Sequence, residues 1–393
     1  MTDPESLKNR PLLLLVAGAK GAVASTLALA VAALHRRPED VLPGLTTAGR
    51  FPYLAAVTET VMAGWDSKPE PLDAAIQCQG IVSEGRCGLY ADELRQIPIR
   101  KAPPTDLNLE KQVDAVTEDI RQFREVFPKS LPVLINLLPA APHSGLAQCG
   151  DLMEIYRSAG PQTLPDLAYA IAAVRSGLPL VNFTPNEVEL PAIVAESADR
   201  RAPIAGRDGK TGQTYLKTVL ASAFKERQLT ITGWYSLNIL GNDDGRNLMD
   251  PDRAAGKVAN KTGLLEEILG YDIGGRTGLP SHKVRIDYYP PRGDAKEAWD
   301  VIDFKGLFDL PMSLRLNLQG RDSILAAPLV LDLGRWMLAL QAAGRVGPVP
   351  ELAFFFKKPV GENAPATFQH QVETLRQLAN ECDRTLKGRS SSN

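Results

Sequence analysis

Residues 12–17 read Leu-Leu-Leu-Leu-Val-Ala, a run without one polar side chain, closed by Gly18. A strand that is apolar on both faces belongs in a parallel sheet covered on both sides. Parallel strands need crossover connections, usually helices. The chain supplies one at once: Gly18 to Thr26 makes a turn rich in small residues, and Leu27 to His35 continues as a helix rich in Ala and Leu. Strand, glycine turn and helix open a dinucleotide-binding unit. The first glycine permits the turn and the second leaves room for a pyrophosphate at the helix start. The spacing departs from Gly-x-Gly-x-x-Gly, with Gly18 and Gly21 followed by Ala24. Gly18, Gly21, Ala22, Val23 and Ala24 are the candidate contacts.

Lys8 and Arg10 before the apolar run could open an export signal. However, Lys20 and two glycines interrupt the run far short of the roughly 20 residues a bilayer requires. A buried first strand is the reading adopted. An acidic partner for a ribose is expected about 20 residues after the glycines, yet none stands there. Asp66, in Gly64-Trp65-Asp66, is the candidate, at the cost of a long connection to the second strand.

The strand–helix rhythm continues to about residue 208. Residues 66–110 look irregular, Leu109 to Val126 is helical, and Leu131 to Leu138 is a strand running into Pro139-Ala140-Ala141-Pro142. Leu167 to Ser176 is helical, and Leu178 to Asn182 is a strand that ends in polar residues. Such strand ends form the ligand crevice of a doubly wound sheet.

A second feature lies at residues 206–245. Thr211-Gly212-Gln213-Thr214 precedes a helix, Tyr215 to Lys225. A strand, Leu229 to Leu237, and a polar loop, Asn238 to Gly245, follow. Backbone N–H groups at a helix start attract anions, so this is a candidate phosphate seat. Asp250-Pro251-Asp252 reads as a helix start, and Lys257 and Lys261, four apart, share one face of that helix. Val284 to Tyr289 is a strand, residues 322–340 form a long apolar helix, and 367–384 an amphipathic one. Lys210, Lys217, Lys257, Lys261, Lys296 and Lys357 fall at loop and strand ends among Asp208, Asp243, Asp244, Asp294 and Asp322. Lysines suit a phosphate or a developing enolate oxygen, and crowding lets one of them shuttle protons near neutral pH.

Several chemistries lack their residues. Lys+Arg (44) and Asp+Glu (46) nearly cancel, so nothing points to nucleic acid. The four histidines are isolated, leaving no histidine metal site. Ser and Cys nucleophile motifs and a Walker loop are absent. Cys78, Cys87, Cys149 and Cys382 lack ligand spacing and fit reduced thiols in a cytoplasm.

In their order, these elements resemble the inositol-3-phosphate synthase (myo-inositol-phosphate synthase) family over about residues 12–358. The glycine turn with Ser25-Thr26, Gly64-Trp65-Asp66, Asn136-Leu137-Leu138-Pro139 and Asn182-Phe183-Thr184-Pro185 match its cofactor side. Gly206 to Thr214, Asn238 to Gly245, Lys257 with Lys261, Gly293 to Lys296, Asp322 to Ala326 and Lys357-Lys358-Pro359 match its substrate side. The resemblance implies conversion of glucose 6-phosphate to 1D-myo-inositol 3-phosphate: oxidation at C5 with NAD, enolisation at C6, closure onto C1, and re-reduction. NAD would be held by the glycine turn, Asp66 at the adenosine ribose, Asn136, Asn182, and Asp322 near the nicotinamide. Thr211, Gly212, Gln213, Thr214, Leu240 and Asn242 would hold the sugar phosphate, with Lys261 near the phosphate. Lys257, Lys296 and Lys357 would polarise carbonyls and move protons, oriented by Asp208 and Asp294. Arg207 and Asp243 depart from the family's Asp and Asn, and Lys20 and Ala24 from its glycines, which leaves another sugar phosphate as the alternative. A silent NAD-binding protein is the third reading. A monovalent or divalent cation requirement stays open, and no protein metal site is assigned.

The expected fold is α/β: a Rossmann-like doubly wound parallel sheet (residues 1–208 and 323–393) with an inserted α+β substrate and oligomerisation domain (209–322). The resemblance adds a homotetramer. No membrane or nucleic-acid partner is expected.

Overall fold

A computed structural model describes residues 7–142, 144–160, 164–247, 249, 263–273 and 281–390. Seven parallel strands form the main sheet: β1 (Leu12–Ala17), β2 (Val61–Asp66), β3 (Ile99–Lys101), β4 (Leu131–Asn136), β5 (Leu180–Asn182), β6 (Pro203–Gly206) and β11 (Gly347–Pro348). Their spatial order is β3-β2-β1-β4-β5-β6-β11. The strand order reverses between β1 and β4, which is where a doubly wound sheet opens its crevice.

Every residue of β1 is buried. Leu12, Leu14 and Val16 face one core with helices α1 (Ala22–Arg36), α5 (Asp322–Ala343) and α6 (Phe368–Ser390). Leu13, Leu15 and Ala17 face the other with α2 (Leu109–Val126) and α3 (Asp166–Arg175). Period-two alternation thus feeds two apolar layers, and each buried leucine contributes roughly 1.5–3 kcal/mol. Among the described residues, α5 alone is long and apolar enough to cross a bilayer, and 78% of its apolar window is buried in this fold.

A second, four-stranded sheet is built from β7 (Thr230–Leu240), β8 (His282–Tyr288), β9 (Ala295–Lys305) and β10 (Pro311–Arg321), in the order β10-β9-β7-β8. Helix α4 (Gly212–Glu226) packs on it, with Ala221, Phe224, Ile231, Trp234 and Ile302 in a separate core. The chain returns from β10 directly into α5 of the main body.

The differences from expectation lie here. The stretch from 66 to 110 holds short helices at Leu72–Gln79, Glu84–Gly88 and Ala91–Arg95, and then β3. The loop expected from Asn238 instead continues β7 to Leu240, because Tyr289 N–H bonds Leu240 O and extends pairing with the β8 side. The β9–β10 hairpin was not anticipated. The helix start expected at Asp250-Pro251-Asp252 lies outside the described residues.

Candidate active site

At the C-terminal end of β1, Gly18 has φ +81°, and a Cβ there would meet Leu137 O at 3.0 Å. Only glycine adopts this conformation without strain. Gly18 N–H and Ala19 N–H both bond Trp65 O, which ties the turn to the end of β2. The first turn of α1 has Gly21 at its N-cap, with no side-chain cap, so Ala22, Val23 and Ala24 begin a helix whose positive end is not filled by a protein side chain. Asp66 closes β2 beside this turn. Its Oδ2 accepts from Lys20 N–H at 2.8 Å and its Oδ1 from Lys68 N–H at 2.9 Å. A carboxylate offers about four lone-pair sites, so further acceptor capacity remains.

The asparagines ending β4 and β5 are buried and knit together. Asn136 Nδ2 donates to Asp166 Oδ1 at 2.6 Å and to Asn182 Oδ1 at 3.2 Å. Asn182 Nδ2 donates to Asn186 O and Glu189 Oε1, and Asn186 Nδ2 donates to Asp166 Oδ1 at 2.9 Å. Asn186 also clasps the loop after β4 through Ala141 N–H and Pro139 O. The side chains of Asn136 and Asn182, 1% and 0% exposed, are therefore spent on fixing the two loops that flank the crevice. Asp166, with its carboxyl raised by burial, is the hub, and sequence reasoning missed it. Its only sequence signal is an acidic residue at a helix start.

Beyond the end of β6, the neighbour of β5, residues 206–210 run alongside 355–360. Arg207 N–H bonds Lys358 O, Lys357 N–H bonds Asp208 O at 2.8 Å, and Lys210 N–H bonds Phe355 O. This ladder brings Lys357 Nζ to 2.6 Å from Asp208 Oδ1, with side chains 12% and 5% exposed. Lys210 points away: its Nζ donates to Ala353 O and Gln371 Oε1, and burial pushes the ammonium down to about 7.

Three residues beyond Asp208, Thr211 caps α4 without a side-chain bond to the helix. Its Oγ1 instead donates to Asp322 Oδ1 at 3.3 Å, and Lys296 Nζ donates to Asp322 Oδ2 at 3.0 Å. Asp322, at the start of α5, thereby joins the α4 start to the β9 lysine. Gly212 sits in the same place: a Cβ there would lie 3.5 Å from Asp322 Oδ1. Gln213 turns inward to Asp300 Oδ2 at 2.9 Å, and Thr214 is buried. Leu240 is buried at the end of β7. Asn242 Nδ2 donates to Asp294 Oδ1 at 3.3 Å, and Ser323 Oγ, next to Asp322, donates to the same oxygen at 3.4 Å. Asp294 Oδ2 is buried without a hydrogen-bond partner, and desolvation, with Asp322 nearby, raises this carboxyl.

The pairing differs in one respect from the expected one. Asp208 does face a lysine, but Lys296 goes to Asp322, and Asp294 holds Asn242 and Ser323 instead. An open cleft of about 590 Å³ lies against Lys357, lined also by Arg207, Glu187, Glu189, Glu267 and Lys358. Lys257 and Lys261 lie outside the described residues. No group of three or more His, Cys, Asp or Glu among the described residues could hold a metal ion.

A family model described as myo-inositol-1-phosphate synthase matches residues 212–323, the segment that carries α4, the four-stranded sheet and Lys296. Inositol-3-phosphate synthase 1 of Bacteroides thetaiotaomicron is 33% identical over 91% of this chain and 90% of its own length. Inositol-3-phosphate synthase 1 of Oryza sativa subsp. japonica is 30% identical over 57% of this chain and 45% of its own. The crystal structure of inositol-3-phosphate synthase from Caenorhabditis elegans superposes with a TM-score of 0.82, at 19% identity, over 96% of this chain and 86% of that one. A myo-inositol-1-phosphate synthase-related protein from Thermotoga maritima gives 0.76 at 21% identity, over 94% and 99%.

Proposed function

This chain belongs to the inositol-3-phosphate synthase family, and from that premise we propose that it converts glucose 6-phosphate to 1D-myo-inositol 3-phosphate. The observation that carries the proposal is the meeting of Lys296, Asp322 and Thr211 at the start of α4, three residues from the Asp208–Lys357 pair. A cationic donor at a helix start, with a second lysine–carboxylate pair a few residues away in the chain, suits an anionic sugar that develops negative charge on oxygen during reaction.

NAD fits the opposite wall. The Gly18 turn has no room for a Cβ, the α1 start carries no side-chain cap, and Asp66 stands at the end of β2. We assign its binding to Gly18, Gly21, Ala22, Val23, Ala24 and Asp66, with Asn136 and Asn182 shaping the loops and Asp322 on the nicotinamide side. When bound, NAD would accept a hydride from the sugar and return it, leaving no net oxidation.

The chain's own residues do the rest. The α4 start, Thr211 to Thr214, seats the phosphate. Lys296, steadied by Asp322, and Lys357, steadied by Asp208, are the candidates to donate hydrogen bonds to carbonyl oxygens, and a lysine of the cluster in its neutral form would accept the C6 proton as the others stabilise the enolate oxygen. Lys257 and Lys261 join them in this reading. Asn242, anchored on Asp294, orients hydroxyls beside Leu240. Residues 209–322 form the substrate and oligomerisation domain of a homotetramer.

Arg207 bears on the alternative of another sugar phosphate. Its guanidinium is taken by Glu187 and Glu189, which favours the first reading. The test is incubation of the purified chain with glucose 6-phosphate and NAD⁺. Inositol phosphate should form without accumulating NADH, followed by ³¹P NMR and absorbance. Net NADH production, or turnover of a different hexose phosphate alone, sinks the assignment.

A further inference from the structure

Arg207 follows the end of β6, and its surroundings give it a structural task. Its Nη1 lies 2.7 Å from Glu187 Oε1 and 3.6 Å from Glu189 Oε2. The Glu189 side chain is 1% exposed. Its Oε1 accepts from Asn182 Nδ2 at 2.9 Å, while Oε2 has no hydrogen-bond partner. Gly206 makes the space, since a Cβ there would lie 2.1 Å from Glu189 Oε1. A carboxylate buried this deeply needs an answering charge, and Arg207 supplies it. The next residue, Asp208, has φ +60°, a left-handed backbone that a residue with a side chain keeps only where its surroundings hold it. Asp208 N–H bonds Thr184 O, and Asp208 O accepts from Lys357 N–H. The ion-paired Arg207 is the anchor one residue back.

We infer that Glu189 is a positioning residue: by holding Arg207 against the end of β5, it keeps Asp208 turned toward Lys357. The inference rests on the reading of Lys357 as a catalytic group. It also ties the ends of the neighbouring strands β5 and β6 together, because the same carboxylate grips Asn182. Burial raises the Glu189 carboxyl to about 7, against the opposing pull of Arg207. The charged groups around it are Glu187 on its own loop, Arg207 and Asp208 on the strand-end segment, Lys357 and Lys358 beyond it, and Glu267 across the cleft. Protonating Glu189 removes the buried one of the two charges that hold Arg207 and leaves only the half-exposed Glu187, so kcat should fall on the acid side of neutrality.

The variant E189Q keeps the size of the side chain and an oxygen for Asn182 but loses the charge. Misplacing Lys357 should lower kcat by about 10- to 100-fold. The KM for glucose 6-phosphate should stay within about threefold, as expected for a group that does not bind the ground state. The acid limb expected near neutrality in the wild-type pH profile should be missing from that of E189Q. A crystal structure of E189Q should show Lys357 Nζ withdrawn from Asp208. Should E189Q not fold, the E189M/R207M double variant, which removes both charges together, should show the same loss. Wild-type kcat and pH profile in E189Q, or an intact Lys357–Asp208 contact in its crystal structure, overturns the inference. A wild-type chain that makes no inositol phosphate defeats the proposed reaction instead, and the Lys357–Asp208 distance in E189Q then decides the inference by itself.

Discussion

Replacing Asp208 by Asn tests the candidate site most directly. Asparagine matches aspartate in size and tolerates its left-handed backbone, φ +60°, equally well. The change therefore isolates one negative charge. Lys357 Nζ lies 2.6 Å from that charge, and both side chains are at most 12% exposed, so solvent screening gives little relief. Removing one partner of a buried pair typically costs about 3–5 kcal/mol, because the other charge stays buried. With an unfolding entropy of about 2 cal/mol/K per residue over 393 residues, that is a fall of roughly 4–6 °C in Tm. A lysine no longer held in place should lose about 10²–10⁴ in kcat, the usual worth of a positioned acid or base. KM for glucose 6-phosphate should change little, since the phosphate seat at Thr211 to Thr214 is untouched. Differential scanning fluorimetry reads the first effect, and inositol phosphate formation under saturating substrate reads the others. Wild-type Tm together with wild-type kcat in D208N would refute both the pairing and its role.

Gly18→Ala should place a Cβ 3.0 Å from Leu137 O in a left-handed backbone, which costs about 1 kcal/mol or more. NAD⁺ affinity, measured by titration calorimetry, should fall because the turn must shift to relieve the clash, while an unchanged dissociation constant would remove the glycine turn from the cofactor site. Asp294 should separate stability from activity. Its folded carboxyl is raised above the unfolded value by burial, so its stabilising contribution is present at acid pH and lost as pH rises through the folded pKa. Asp294→Asn should therefore be more stable than wild type near neutral pH, with the gap closing on acidification, and yet be slower. Equal or lower Tm for D294N at neutral pH would contradict the unpartnered oxygen seen at this position.

Local sequence patterns were enough for much of the main sheet. The six residues of β1 are apolar throughout, and no other setting buries both faces of so short a strand. The limits of α2 follow from its 3.6-residue periodicity and from Asn108, whose side chain caps Lys111 N–H. Helix α4 begins three residues earlier than its apolar pattern suggests, because Gly212, Gln213 and Thr214 are helical by virtue of what they pack against rather than by propensity. The β9–β10 hairpin had a legible signal that the expected fold did not use. Leu314, Leu316 and Leu318 alternate with Arg315, Asn317 and Gln319, as a half-buried strand requires.

The strand–glycine–helix opening, a helix following the small-residue loop at 211–214, and the inventory of lysines and carboxylates can all be read from the chain alone. Those depend on neighbours within a few residues. Which lysine meets which carboxylate was decided only by the tertiary structure. Lys357 and Asp208 are 149 residues apart and meet through a backbone ladder between two loops. Lys296 meets Asp322 because β10 leads straight into α5. Glu189 became visible as part of the site only once Gly206 and Arg207 were seen against it. Charge attraction falls off with distance and burial rather than with sequence separation, so partners of this kind exist only after the chain has closed on itself.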